Sequence, residues 1–265
     1  MLVWTKKGRA VVLAGFALVV LVVFLAPIAT VAAAALAGSW TGPLPADLGF
    51  ANFGRALSGE QAASLSVSLQ TALLAGAVSL VLGTWAALAA REAPGWWRRC
   101  TDAVFHLPVA VPSVAVGLGV LIAFNERPAL LGGTKWIVVL AHSVLVLAYA
   151  FSAVSAALDR IDPGYRQAAE SLGAGPARVL FQVTLPLLLP ALGAAAGLAV
   201  ALSMGELGAT VMVYPATWKT LPVSIFAQTD RGEVFDAAAS TTLLVLTTLV
   251  ALILLGRIRS RATLR

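Results

Sequence analysis

Charge is scarce in this sequence. Aspartate, glutamate, lysine and arginine together make up 11% of the 265 residues, against 60% hydrophobic ones. The chain has one cysteine, Cys100, which excludes an intramolecular disulfide and a cysteine-based metal centre. Two histidines, His106 and His142, stand far apart in the chain. They read as hydrogen-bonded bundle residues rather than as metal ligands, and no metal site is expected. There is no His-Glu-x-x-His and no Gly-x-Ser-x-Gly, so the familiar nucleophile and zinc sets of membrane hydrolases are missing. No Gly-x-x-x-x-Gly-Lys-Ser/Thr occurs either, since Gly132-Gly133-Thr134-Lys135 lacks the spacing. A chain without that loop has no P-loop cradle for ATP. No enzymatic activity is expected of the chain itself.

What fills the sequence instead is apolar runs of eighteen or more residues, the length that crosses a bilayer, with mean hydropathy +0.92. The net charge is +6. In a soluble domain such a balance would point to nucleic acid. Here the basic residues flank the apolar runs, so they report membrane topology and no nucleic-acid partner is expected. The pattern predicts an all-α membrane protein of six transmembrane helices in one domain over 1–265. The spans are 10–37, 62–90, 103–124, 135–158, 187–213 and 234–255, with a polar loop over 159–186. The first run has an Ala-Leu-Ala near its end that resembles a signal-peptide cleavage site. It is longer than the about 7–15 residues of a signal core, so a retained helix is expected, with Pro27 as a candidate kink. Residues 92–100, which hold Trp96-Trp97-Arg98-Arg99, read as an interfacial turn at headgroup level. The third span contains Pro108, Pro112, Gly117 and Gly119; its freed carbonyls need partners in lipid, so it should be bent and packed inside the bundle. Residues 214–233 read as a loop.

Six spans place both ends on one side. That side holds Lys6, Lys7, Arg9, Arg91, Arg98, Arg99, Arg160, Arg166, Arg178 and the terminal Arg257, Arg259, Arg261 and Arg265, leaving Arg55, Arg127, Lys135, Lys219 and Arg231 opposite. The excess of positive charge marks the first side as cytoplasmic. Both termini and the loop 159–186 are therefore expected in the cytoplasm of a cell with an inner membrane.

That loop is the most informative stretch. Asp162 can cap a helix whose first turn holds Pro163. Tyr165, Ala168, Ala169 and Leu172 then share one face, and Gly173 ends the helix by taking a positive φ. A second short helix begins at Gly175-Pro176 and runs towards Leu185-Pro186. A face of alanines without large side chains suits docking in another protein's groove. Gln167-Ala168-Ala169, then three residues and Gly173, then nine residues and Val183-Thr184-Leu185-Pro186 resemble the cytoplasmic coupling loop of binding-protein-dependent ABC importer permeases. Gln167 stands where that family usually has Glu. The phrase from Leu107-Pro108 through Pro112 to Gly117 is also similar to the family's third-span region. The resemblance implies the type I importer fold, with Tyr165, Gln167, Ala168, Ala169, Leu172, Gly173, Leu185 and Pro186 in ATPase coupling. It also implies the partners: a dimer of ABC ATPase subunits that holds ATP and magnesium, a second permease chain (the same or homologous), an extracytoplasmic substrate-binding protein, and lipid around the whole.

Glu206 is a carboxylate inside an apolar run, and such groups are functional candidates. It sits in Gly205-Glu206-Leu207-Gly208, and with Pro108 and Pro112 these residues are candidates for the translocation path or its gate. Packing between two permease chains is an equal alternative for Glu206. A further stretch, Met212-Val213-Tyr214-Pro215, Trp218–Phe226 and Thr229–Gly232, resembles the 2-aminoethylphosphonate branch of these permeases, which lies near the sulfate, molybdate and iron importers. On the external side Lys219 and Arg231 are then placed to meet a phosphonate, and Asp230 and Glu233 an ammonium; contact of these residues with the binding protein or solvent is the favoured alternative. Two alternatives remain at this point: an ABC permease for sulfate, molybdate, ferric iron or thiamine, or a secondary transporter that uses Glu206 as an ion site.

Overall fold

The computed structural model describes residues 5–126 and 130–262, with no side chains described beyond Gly256. Arg127, expected on the side opposite the termini, and Arg265 lie outside what is described, as do the side chains of Arg257, Arg259 and Arg261. Among the described residues the chain is helical, with one isolated β-bridge, Ser39 to Ala46. Five helices are long and apolar enough to cross a membrane, and a sharply bent pair would make a sixth. The internal contacts group into two units, residues 1–62 with 225–243, and residues 63–224 with 244–265.

In the first unit, α1 (Lys6–Leu36) starts where the Thr5 hydroxyl accepts a hydrogen bond from Gly8 N at 3.1 Å. No residue of its apolar window is buried, as expected of a helix whose solvent is lipid. A π-turn over Leu21–Leu25 ends two residues before Pro27. A wide turn relieves the clash of a proline ring with the preceding turn. The end of α1 is closed by Asn52 of α2 (Ala51–Ala56). Its Nδ2 donates to the carbonyls of Ala35 at 2.9 Å and Ala37 at 2.8 Å, which the helix itself leaves without partners. Asn52 Oδ1 accepts from Arg55, and Arg55 pairs with Asp236 at 2.8 Å. Ala34, Ala35, Ala56, Ala238 and Ala239 make the small core of this unit.

The second unit carries most of the buried surface. It takes in α3 (Gly59–Glu92) from residue 63 onward, α4 (Gly95–Ala110), α5 (Ser113–Phe124), α6 (Lys135–Leu158), α7 (Pro163–Ser171), α8 (Pro176–Met204) and α9 (Gly208–Val213). α6 is its centre: Phe151, Val154 and Leu158 pack with Ala87 and Ala90 of α3 and Leu188 of α8. Ile137, Val138 and Ala141 pack with Val120 of α5 and with Ala209 and Val213 of α9. Helix contacts inside a bilayer rely on close packing of small residues. A Cβ added at Gly117 would lie 2.6 Å from both Cα and O of Ala209. α10 (Leu221–Asp230) and α11 (Val234–Ala262) follow.

The structure corrects four boundaries. The expected third span is two helices, α4 and α5, bent by 107°. Val111 is extended there, the conformation favoured before a proline, and Pro112 opens the new helix. The stretch 92–100 is a turn only at Ala93-Pro94, because α4 already begins at Gly95. The fifth span starts at Pro176, eleven residues before 187, and its helix ends at Met204 rather than running to 213. The stretch 214–233 is not all loop, since α10 occupies Leu221–Asp230.

Candidate functional site

Two places in the second unit hold most of the candidate residues. The first is α7. Asp162 Oδ1 accepts from Gly164 N at 2.7 Å, and Pro163 sits in the first turn. At the other end Gly173 has φ +81°. Gly173 N donates to Glu170 O at 2.9 Å and Ala174 N to Ala169 O at 3.0 Å, the paired bonds of a Schellman ending. Tyr165 is 59% exposed and Leu172 88%; Gln167 and Ala168 are exposed and Ala169 is half-buried. Arg166 holds this helix against the end of α3. Its Nη1 donates to Glu92 Oε1 at 2.6 Å and its Nε to Glu170 Oε1 at 2.8 Å. Those hydrogen bonds, to Glu170 first and then Glu92, push the guanidinium further above its ordinary range. A cavity of about 290 Å³ lies beneath, lined among others by Leu88, Arg91, Tyr165, Arg166, Val179 and Val183.

Leu185 and Pro186 are elsewhere. They lie inside α8, just after a second π-turn, Leu180–Thr184. Leu185 packs against the Phe151–Leu158 core. The structure thus gathers Tyr165 to Gly173 on one exposed helix and puts the Leu-Pro pair at the root of a span.

The second place is a cavity of about 200 Å³ where α4, α5, α6 and α8 converge. Its lining includes Pro108, Ser113, His142, Tyr149, Ser203 and Glu206. Glu206 is not within a helical span. It stands in the break between α8 and α9, where its Oε1 accepts from Ala209 N at 2.7 Å and so caps α9. Gly208 leaves no room for a Cβ against the Ser113 side chain, and Gly205 has no such neighbour. Pro112 is at the bend beside the cavity without lining it. His142 is buried and tied at both nitrogens, Nδ1 to Ser203 Oγ at 2.7 Å and Nε2 to Thr210 Oγ1 at 2.8 Å. The Thr210 hydroxyl donates to Glu206 O at 3.1 Å. It therefore accepts from Nε2–H and leaves Nδ1 to accept from Ser203. The expectation of a satisfied bundle histidine matches this geometry. Sequence reading missed Ser113, Tyr149 and Ser203, because nothing local distinguishes a cavity-lining hydroxyl from any other in an apolar helix. Among the described residues no group of three or more His, Cys, Asp or Glu is placed to hold a metal. In the first unit, Arg231 and Glu233 pair with each other at 2.9 Å, which raises the one group and lowers the other from their ordinary ranges.

The model for binding-protein-dependent transport system inner membrane components matches residues 79–262. The chain belongs to that family. A Salmonella paratyphi A protein, provisionally named 2-aminoethylphosphonate transport system permease protein PhnV, is 45% identical over 261 residues, covering 98% of each chain. The molybdenum transport system permease protein ModB of Escherichia coli K12 is 35% identical over 185 residues, covering 63% of this chain and 80% of its own. Among solved structures, a bacterial ABC transporter involved in the import of the acidic polysaccharide alginate matches with a TM-score of 0.76 at 15% identity, over 96% of this chain and 95% of that one. The MetNI methionine ABC transporter matches at 0.63 and 18%, over 75% and 94%. The fold is that of the type I ABC importer permeases. This permease is a multi-pass inner-membrane transport subunit, and family membership sets aside the ion-driven secondary transporter.

Proposed function

We propose that the chain is the permease of an ATP-driven importer for 2-aminoethylphosphonate or a closely related phosphonate. The observation that carries the substrate is the 45% identity over 98% of both chains with the Salmonella protein named for that compound. The molybdenum permease matches over only 63% of this chain. In this reading residues 1–265 act as one transmembrane permease domain with both termini in the cytoplasm. Two permease chains, identical or homologous, pair with an ATPase dimer that holds ATP and magnesium, and an extracytoplasmic binding protein delivers the solute.

Coupling runs through α7. Tyr165, Gln167, Ala168, Ala169 and Leu172 offer the partner ATPase an exposed face, and Gly173 fixes the corner behind it. Leu185 and Pro186 would carry the movement into α8, and Arg166–Glu92 into α3. The solute path passes the cavity at Pro108, Pro112 and Glu206, where the breaks at Val111 and Gly205 leave two half-spans free to shift. Gly208 keeps α9 close to α5, and Gly205 lets the chain turn. A phosphonate passing this way needs only a weak, transient site.

Reconstitution tests it. The permease is combined in proteoliposomes with its ATPase and binding protein, and uptake of 2-aminoethylphosphonate is compared with molybdate and sulfate. ATP-dependent uptake of the phosphonate alone is the expected result. Uptake of molybdate or sulfate in its place would overturn the substrate, and uptake without ATP would overturn the coupling.

A further inference from the structure

The cavity at Glu206 is charged in one sense only. Among the described residues that line it, Glu206 is the one carboxylate and there is no lysine or arginine. His142 accepts at Nδ1 and donates at Nε2, so it is neutral. Glu206 Oε1 is taken by Ala209 N, and no donor among the described residues meets Oε2. α4 ends at Ala110 beside the same cavity, with Val109 and Val111 in its lining. The carbonyls of Leu107 to Ala110 accept from no N–H beyond the helix among the described residues. A helix end of this kind carries partial negative charge. Carboxylate and carbonyls together attract a cation and repel a bare oxyanion.

The far end of the cavity holds a donor. Tyr149 is half-buried and lines it, and its hydroxyl makes no hydrogen bond among the described residues. Fourteen residues separate Tyr149 from the start of α6 and nine from its end, about 21 Å and about 14 Å along the axis. An unpaired hydroxyl at that depth in a bilayer is costly unless something meets it. His142 marks the Glu206 end, since Thr210 bridges its ring to Glu206 O. Tyr149 follows seven residues later, about 10 Å along the helix, and its side chain leans back towards His142. The wall shared with them is apolar, with Leu145, Val146 and Leu202. The cavity thus runs from a free acceptor, past an apolar wall, to a free donor.

We propose that this cavity is a selective site for aminoalkyl phosphonates, with Glu206 and Tyr149 as its two poles. Glu206 Oε2 and the end carbonyls of α4 accept from the solute's ammonium. The apolar wall meets its methylenes, and the Tyr149 hydroxyl donates to a phosphonate oxygen. The ammonium offsets the carboxylate, so a zwitterion enters where sulfate, molybdate or an alkyl phosphonate is repelled. This deepens the transport reading and rests on it: the permease itself, and not the binding protein alone, discriminates by the amino group.

The permease–ATPase complex in nanodiscs, without binding protein, is titrated with 2-aminoethylphosphonate, ethylphosphonate or ethylamine. Saturation-transfer NMR on the solute's methylene protons reads the contact. The aminophosphonate should bind at least about tenfold more tightly than ethylphosphonate, the worth of one charged hydrogen bond. Glu206→Gln, which can still accept from Ala209 N, should remove that preference. Tyr149→Phe should weaken the aminophosphonate by about threefold and leave ethylamine unaffected. Equal binding of the two phosphonates by the wild type would overturn the proposal without any variant. So would a preference that survives Glu206→Gln, or ethylamine bound as tightly as the aminophosphonate, which would make this a plain cation site. Uptake separates the two claims. A complex that imports 2-aminoethylphosphonate yet shows no such preference loses this site and keeps its solute, whereas one that imports only molybdate or sulfate loses both.

Discussion

The α7 loop and the cavity at Glu206 belong to the same unit and hold most of the candidate residues between them, yet they are built in opposite ways. α7 is made from consecutive residues. Its cap, its first-turn proline, its exposed face and its closing glycine fall within twelve positions, 162–173. The cavity draws on α4, α5, α6, α8 and the break before α9, and none of its members is adjacent in sequence to more than one other. A local device should fail through one residue at a time. A non-local one should fail through whatever fixes the helices around it.

That contrast orders the expected effects. The largest is Gly117→Val. The added side chain has to enter space held by Ala209 Cα and O, and overpacking of this kind costs about 1–3 kcal/mol or more. A fall in thermal midpoint together with loss of transport is expected. An unchanged midpoint would show that α5 and α9 can part freely and that the cavity is not set by their contact. Next is Glu206→Leu, which removes the cap on α9 and should cost about 1 kcal/mol. Glu206→Gln keeps an acceptor and should retain most of that stability. Equal destabilisation by the two variants would show that charge, not capping, is what α9 needs. Asp162→Ala should cost α7 about 1 kcal/mol by the same logic, read as faster amide exchange confined to 163–171. The smallest is Arg166→Gln. Its partners are exposed, and exposed pairs are worth only tenths of a kcal/mol. Stability should barely change, while ATPase stimulation falls if the arginine carries movement from α7 to α3. An unaltered stimulation would leave Leu185 and Pro186 as the sole route.

Much of this was legible in the residues, and the reason differs by region. At α7 the chemistry is short-range: Asp before Pro, small residues at helical spacing and Gly at the end each act on their own neighbours, so the chain shows them in order. The bent third span was half legible. Pro108 and Pro112 announced a distortion, but only the structure shows that Pro108 stays inside α4 and that the break falls at Val111. Glu206 was recognisable as unusual because a carboxylate in an apolar run is rare. Its role as a cap was hidden, since a helix stop at Gly205 and a restart at Gly208 look like small residues in a continuous span. Tyr149, Ser113 and Ser203 left no trace at all. Which face of an apolar helix turns towards a cavity depends on the packing of α6 against its neighbours, and alanine and leucine on every side conceal it.

The central claim is that α7 transmits ATP hydrolysis to the transport path, and Gly173→Val tests it most directly. The glycine sits at φ +81°, where a β-branched residue costs about 1–2 kcal/mol, and no neighbouring atom stands in the way of a side chain. Strain at the corner is therefore the whole effect. The measurement is ATP hydrolysis by the reconstituted complex, with and without binding protein loaded with 2-aminoethylphosphonate. The variant should insert and assemble like the wild type and lose at least about tenfold of the solute-stimulated rate, which corresponds to about 1.4 kcal/mol. Full stimulation in a correctly assembled Gly173→Val complex would contradict the account.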